Sequence, residues 1–291
     1  MKIGLALSGG GVKSSAQLGV IQALHDGGIH PEVFAGTSGG SIVATLMALG
    51  CTPSESLQLI KKNSDMLDIA IAHIIKGMIS KKDTVQGLFK GKRLEKSLDN
   101  IFKGCNFGDV DLPLGIVTTD INNGRQIIFS NRYDIDESKV NDTDFLWFVS
   151  NYEDKLSEVV RASCGLPGLF IPKELKLLTL VDGGLINNLP SDIASALGAD
   201  RVISIDLGKA ANSYRTGNAY SILLQSYSII YDRSEDNNRN YYDIHLNPKV
   251  NDLSVLDSSQ LEEGFYRGYE YGKKHINSII DALDKNYKLS L

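Results

Sequence analysis

The first fifty residues switch twice between the two periods that apolar side chains mark along a chain. Ile3 to Ser8 is an uncharged run of strand length. After Gly9-Gly10-Gly11-Val12-Lys13, the residues Ala16, Val20, Ala23 and Leu24 recur at helical spacing. They predict a helix over Ser15–Asp26 that Gly27-Gly28 ends. A second apolar run, Val33 to Ala35, meets a glycine-crowded turn, Gly36-Thr37-Ser38-Gly39-Gly40, and a helix from Ser41 to Leu49 follows. Strand, glycine loop, helix, strand, glycine turn and helix, in that order, open a parallel α/β sheet.

Further along, Thr52-Pro53-Ser54-Glu55 is a helix start, with a Thr cap, Pro at the first position and Glu three after the cap. Met66 to Ile79 is rich in Ile and Met and predicts a helix with a wide apolar face, either core or a cover over a site. Leu114–Thr119 and Gln126–Ser130 read as strands joined by the hairpin signal Asn122-Asn123-Gly124. Tyr133–Tyr152 is polar and mixed and reads as a long loop anchored by Phe145, Leu146, Trp147, Phe148 and Val149. Lys155–Ser163 is helical, and Leu177–Val181 is a strand that runs into Asp182-Gly183-Gly184. Pro190–Leu197 is a helix stopped by Gly198, and Arg201–Leu207 is a strand. Two helices, Ala219–Arg239 and Gln260–Leu283, flank a short strand, Asp243–Leu246.

Composition narrows the function classes. The chain has 291 residues, 42% of them hydrophobic, and a net charge of -5. That length buries about 75% of the unfolded surface without a disulfide or metal staple. An acidic balance disfavours nucleic acid as a partner. Cys51, Cys105 and Cys164 are odd in number and widely spaced, which predicts free thiols and no metal site. The first residues are too short an apolar run for a signal peptide, and no stretch reaches ~18 uncharged apolar residues, so a cytoplasmic protein is expected. From Lys76 to Lys103 eight basic residues face three acidic ones. That segment is either a solvated helix face or a peripheral contact with an anionic membrane.

The chemistry concentrates in the turn. Gly36, Ser38 and Gly40 form G-x-S-x-G, the spacing of a nucleophile elbow, in which a serine sits on a tight strand-to-helix turn whose neighbours must lack side chains. The following helix starts with free N–H groups near Ser38. The earlier loop is no phosphate loop, because Val12 and not Gly precedes Lys13. It is no dinucleotide fingerprint, because Ser14 takes the third glycine place. It is either a helix-leading turn or an oxyanion hole made from the side-chain-free N–H groups of Gly9, Gly10 and Gly11. Ser38 needs a base. Among the five histidines, His25, His30, His73, His245 and His275, none sits in a glycine-rich loop after a strand. The order Ser38, Asp182, then His245 or His275 allows a triad. Asp182, at a strand end with two glycines after it, can instead contact Ser38 directly if burial raises its pKa.

These motifs, taken together, resemble the patatin-like phospholipases. Gly9-Gly10-Gly11-Val12-Lys13-Ser14 looks like the family's G-G-G-x-[Arg/Lys]-Gly loop, with Ser14 in place of the last glycine. Gly36 to Gly40 matches the elbow, Asp182-Gly183-Gly184 matches Asp-Gly-[Gly/Ala], and the stretch Ala162-Ser163…Pro167…Phe170…Pro172 is similar to another family signature. The resemblance runs from about Ile3 to Leu207. It implies a three-layer α/β/α fold with a mainly parallel sheet, and calcium-independent hydrolysis of lipid acyl esters without a cofactor. It also implies a dyad of Ser38 and Asp182 without histidine. Gly10, Gly11 and Gly39, with Gly9 in the same loop, would hold the oxyanion. Lys13 would steady the loop or attract lipid phosphate. On this reading residues 1–291 form a single catalytic domain, with 208–291 adding helices and a short strand.

Overall fold

A computed structural model describes residues 1–64, 87–150, 153–208 and 219–291. The two apolar runs at the start of the chain are β1 (Ile3–Leu7) and β2 (Val33–Thr37). β3 (Gly87–Phe89) belongs to a small separate pair, and β4 (Leu114–Asp120) and β5 (Arg125–Ser130) form the expected hairpin. After them come β6 (Phe145–Val149), β7 (Gly168–Phe170), β8 (Lys173–Leu175), β9 (Leu178–Asp182), β10 (Arg201–Ile205), β11 (Ile244–Leu246) and β12 (Leu289–Ser290). The main sheet has ten strands, in the order β12-β11-β10-β1-β2-β4-β5-β6, with β9 paired to β4 and β8 to β9. From β12 to β4 every pairing is parallel; β5 and β9 both run antiparallel to β4.

The α-helices among the described residues are α1 (Ser15–Asp26), α2 (Gly39–Ala48), α3 (Pro53–Lys62), α4 (Lys92–Ile101), α5 (Leu156–Ser163), α6 (Ser191–Ala196), α7 (Ala219–Asn237) and α8 (Leu261–Lys285). Successive strand residues face opposite sides of a sheet, and here each side has its own core. Leu5, Leu7, Phe34 and Ile116 pack with residues of α1, α2 and α8 on one face. Ala6, Val33, Ala35 and Val117 pack with Ile193 and Ala194 of α6 on the other. The result is three layers, α/β/α. The α6 layer sits close because two strand positions beneath it are glycine. A Cβ on Gly4 would stand 2.6 Å from the Ala199 Cβ, and one on Gly115 would stand 2.8 Å from Ile193 Cγ2.

The capping box at Thr52 forms as read. The Thr52 N–H donates to Glu55 Oε2 at 2.9 Å, and the Glu55 N–H donates to Thr52 Oγ1 at 3.2 Å. The segment Tyr133–Tyr152 differs from the expected loop. Phe145–Val149 is β6, parallel to β5 at the sheet edge. An unbroken apolar run of five residues has no alternation to mark it as a strand, yet its aromatic and branched side chains suit a pleated surface. Phe148 stacks on Phe129 at 5.5 Å between ring centroids, and the Trp147 indole N–H donates to the Arg132 carbonyl. Two short strands, β7 and β8, also lie where no strand was read. The helix expected over Met66–Ile79 lies outside the described residues, as do Lys76, Lys81 and Lys82.

One contact holds the C-terminal helix to the start of the chain. Gly264, Gly268 and Gly272 are buried along one side of α8, one turn apart, against Ser15, Ala16, Val20 and Ala23 of α1. Gly19 of α1 answers them by lying on the Phe265 carbonyl. A Cβ on Gly268 would collide with the Ala16 carbonyl oxygen, which belongs to backbone and cannot swing away. Gly268→Val is therefore expected to lower the unfolding free energy by about 2–3 kcal/mol in denaturant titration. An unchanged midpoint would contradict this close approach.

Candidate active site

β2 and β9 share one edge of β4. Thr37 ends β2 and lies opposite Val117; Asp182 ends β9 and lies opposite Thr118, the next residue of β4. The two strands arrive from opposite directions, so their C-terminal ends face each other across one strand step, about 3.3 Å. Ser38 follows Thr37 directly, and its hydroxyl lies close enough to the Asp182 carboxylate to favour its charged form. The sequence pattern suggests a parallel strand for Asp182. It is the antiparallel course of β9 that delivers the carboxylate to the elbow.

The elbow has the backbone its glycines imply. Ser38 has φ 51° and ψ -126°, a conformation strained for a residue with a side chain. A Cβ on Gly36 would stand 2.5 Å from the Gly40 carbonyl oxygen, and one on Gly40 would overlap the Leu7 carbonyl. Both glycines are thus required by close approach. The turn is held from below by Ser163. Its Oγ accepts the Ser38 N–H at 2.9 Å and donates to the Val117 carbonyl at 2.7 Å. The Ser41 hydroxyl donates to the Ser38 carbonyl at 2.6 Å. α2 begins at Gly39, so its N-terminal N–H groups and their partial positive charge face the Ser38 side chain.

The glycine loop lies beside the elbow. The Gly9 N–H already donates to the Asn188 carbonyl at 3.3 Å and to its side-chain oxygen at 3.1 Å. Gly10 and Gly11 stand at the start of the following helical turn, where N–H groups have no intrahelical acceptor, and both line the cavity next to Ser38. Gly11 has φ 57°, and a Cβ there would collide with the Val255 carbonyl. Gly39 packs against Gly11, which brings the loop and the α2 terminus together. Lys13 is only 3% exposed, and its ammonium donates to the Asn251 carbonyl at 3.3 Å. Burial lowers its pKa while Asp252 and Asp206 oppose that. Lys13 thus ties the loop to the segment before α8.

Asp182 is 2% exposed. Burial pushes its carboxyl up from an ordinary 3.8 to about 6, against the Gly184 N–H and the nearby Ser38 and Tyr231 hydroxyls, which favour the charged form. The Gly184 N–H donates to Asp182 Oδ1 at 2.8 Å. Gly183 packs on the Val117 carbonyl, where a Cβ would overlap, so both glycines after Asp182 serve close contacts. Around the pair opens a mostly apolar cavity of about 230 Å³, walled by Ile42, Val43, Leu94, Leu169 and Phe170. Tyr227 and Tyr231 of α7 close another side. Sequence reasoning missed Asn188 and the two tyrosines. Asn188 stands close after the Asp-Gly-Gly motif, which is a signal of sorts; the tyrosines lie in a helix without any motif.

The histidines lie elsewhere. His245 is on β11, three strands from β2, roughly 14 Å at the usual strand spacing. Its Nδ1 is 3.0 Å from the Ser204 hydroxyl, and its nearby carboxylate is Asp206, not Asp182. His275 is on α8 against Tyr271. Among the described residues no histidine lines the cavity; His73 lies outside them.

A buried carboxylate with a raised pKa disfavours folding wherever it is charged. The cost is fully present above pH 6 and disappears as pH falls toward 4, and amounts to roughly 3 kcal/mol. Asp182→Asn is therefore expected to be more stable than wild type at pH 8, with the difference shrinking at pH 4 in paired denaturant titrations. A difference independent of pH would contradict the burial described here.

Comparison with known proteins identifies the family and the fold. The profile of the family described as patatin-like phospholipase matches residues 5–195. Patatin-like phospholipase domain-containing protein 7 of Rattus norvegicus is 28% identical over 264 residues, covering 89% of this chain and 16% of the relative. A lysophospholipase of Saccharomyces cerevisiae is 26% identical, covering 96% of this chain and 17% of the relative. The chain thus spans about a sixth of the length of these relatives. In fold it is similar to VipD from Legionella pneumophila, with TM-score 0.52 at 16% identity over 97% of this chain and 67% of that one. It is similar also to human GIVD cytosolic phospholipase A2, with TM-score 0.52 at 10% identity over 98% and 59%. With the profile matched over more than half its length and the elbow, glycine loop and Asp-Gly-Gly turn in place, the chain belongs to the patatin-like phospholipase family.

Proposed function

We propose that this protein is a serine hydrolase of lipid acyl esters, working through a dyad of Ser38 and Asp182. The observation that carries the reading is the meeting of the two on one edge of β4, beside an apolar cavity. A serine hydroxyl is a weak nucleophile until a neighbour takes its proton. A carboxylate with a pKa of about 6 is ionised at neutral pH and basic enough to accept it. Ser38 Oγ attacks the ester carbonyl while Asp182 takes its proton. The tetrahedral oxyanion is held by the N–H groups of Gly10, Gly11 and Gly39, since that of Gly9 is already donated to Asn188. Collapse expels the alcohol, which receives the proton from Asp182. Water then attacks the acyl-enzyme with Asp182 as base again, and Ser38 is regenerated as the acid leaves. The apolar wall suits a hydrocarbon chain, and the names of the relatives support a phospholipid or lysophospholipid substrate. The strands and helices after Leu207 continue the sheet and cover the α1 face, which favours residues 1–291 acting as one catalytic unit.

Two tests address the dyad. A fluorophosphonate probe is expected to label wild type on Ser38 and not Ser38→Ala; labelling of another serine in both would overturn the assignment. In turnover of a short acyl ester, Asp182→Asn should fall by at least 10²-fold, in line with the loss of a general base. His245→Ala and His275→Ala should stay within a few-fold. Collapse of a folded histidine variant with Asp182→Asn still active would replace the dyad by a triad.

A lipid substrate would bring the enzyme to a lipid surface. α4 buries Leu94, Leu98 and Ile101 and exposes Lys92, Arg93 and Lys96. Among the described residues no helix is long and apolar enough to cross a membrane, and the contact proposed for α4 is a peripheral one. Reversing the charge at Lys90, Lys92 and Arg93 is expected to weaken binding to anionic vesicles, most at low salt. Unchanged vesicle binding would leave α4 as a solvated face.

A further inference from the structure

The cavity side of Asp182 opposite the elbow is closed by α7. Tyr227 and Tyr231 stand one helical turn apart on it, with ring centroids 6.1 Å apart. The Tyr227 hydroxyl donates to the Pro167 carbonyl at 3.1 Å and fastens the helix to the loop before β7. Tyr231 reaches deeper. Its ring lies on Gly184, where a Cβ would stand 2.7 Å from Cε1 and 2.9 Å from Cζ. Its hydroxyl is buried on the Asp182 side and couples electrostatically to the carboxylate, favouring its charged form. Gly184 is also the residue whose N–H donates to Asp182 Oδ1. The second glycine of Asp-Gly-Gly therefore does more than turn the chain: it leaves room for a phenol beside the carboxylate.

We propose that Tyr231 is a positioning residue for Asp182, whose phenol, together with the Gly184 N–H, holds the carboxylate in the orientation in which it meets the Ser38 hydroxyl. This rests on the Ser38–Asp182 reading above. The phenol is the donor throughout the working pH range. Burial and the neighbouring Asp182 charge push its pKa well above the usual tyrosine value, so it keeps its proton. A carboxylate pinned by two fixed donors loses its rotational freedom before substrate arrives. The same phenol favours the ionised form and opposes the burial that raises the pKa. The titratable groups that face Asp182 are Cys164, from the loop after α5, and Tyr227 and Tyr231 from α7; Ser38 faces it from the elbow. Burial holds Cys164 and Tyr227 at about 12. Asp182 is therefore the group of this set that titrates near pH 6.

The test is the pH profile of kcat and KM on a short acyl ester for wild type, Tyr231→Phe, Tyr227→Phe and a protein carrying 3-fluorotyrosine at position 231. Tyr231→Phe is expected to lose roughly tenfold in kcat with little change in KM, as for removal of a hydrogen bond to a charged group. Its acid limb of kcat/KM should move up from near pH 6. The fluorinated phenol, a stronger donor, should move the limb down, and it carries the test if Tyr231→Phe does not fold. Tyr227→Phe should leave the limb in place. An unmoved limb in both position-231 proteins overturns the proposal. So does an equal shift in Tyr227→Phe, which would assign the effect to loosening of α7. Asp182→Asn in the same series separates the two levels: if it is inactive and Tyr231→Phe keeps the wild-type limb, only the positioning role fails. If it is fully active, the dyad itself fails.

Discussion

Everything at the candidate site depends on how two strands divide one edge of β4. β2 occupies the first half of that edge and stops at Thr37; β9 occupies the second half and stops at Asp182. Neither can extend without displacing the other, so their ends are held one residue step apart. The elbow follows from this limit. The chain must leave β2 at once, which puts Ser38 at a positive φ and starts α2 at the next residue. The glycines follow as well, because Gly36, Gly40 and Gly183 each press on backbone that belongs to a neighbouring strand or turn. Serine and carboxylate thus meet because of strand register, with no flexible loop setting the distance.

The same register buries the carboxylate, and burial carries both a cost and a use. A charged Asp182 inside the fold destabilises it at neutral pH, and the lifted pKa is what suits the group to the base role proposed for it. Its surroundings moderate rather than abolish the effect. A backbone N–H, a serine hydroxyl and a phenol all favour the ionised form. A site with none of these donors would hold a neutral acid, and a solvent-exposed carboxylate would be too weak a base.

The parallel opening of the sheet was legible because Ile3–Ser8 and Val33–Ala35 are apolar, of strand length, and separated by one periodic helix. The elbow was legible because its glycines are required by close contacts, so their spacing survives as a pattern. β6 was not legible, since Phe145–Val149 carries no alternation and takes its place only from pairing with β5. The direction of β9 was equally hidden: nothing in Leu178–Val181 tells whether its neighbour runs with it or against it. Gly9 looked equivalent to Gly10 and Gly11, and differs because Asn188, 179 positions away, takes its N–H. Tyr231 shows the same limit from the other side. Its proposed role comes from where α7 lands, and a tyrosine in a helix announces nothing by itself.

The claim that Asp182 activates Ser38 is tested most directly by the rate at which a fluorophosphonate modifies Ser38 as a function of pH, followed by intact mass. In wild type the account predicts a rate that falls on acidification with a midpoint near pH 6. In Asp182→Asn it predicts a slow rate with no such limb. A limb near pH 6 that persists in Asp182→Asn, or one that vanishes in His245→Ala, would contradict it.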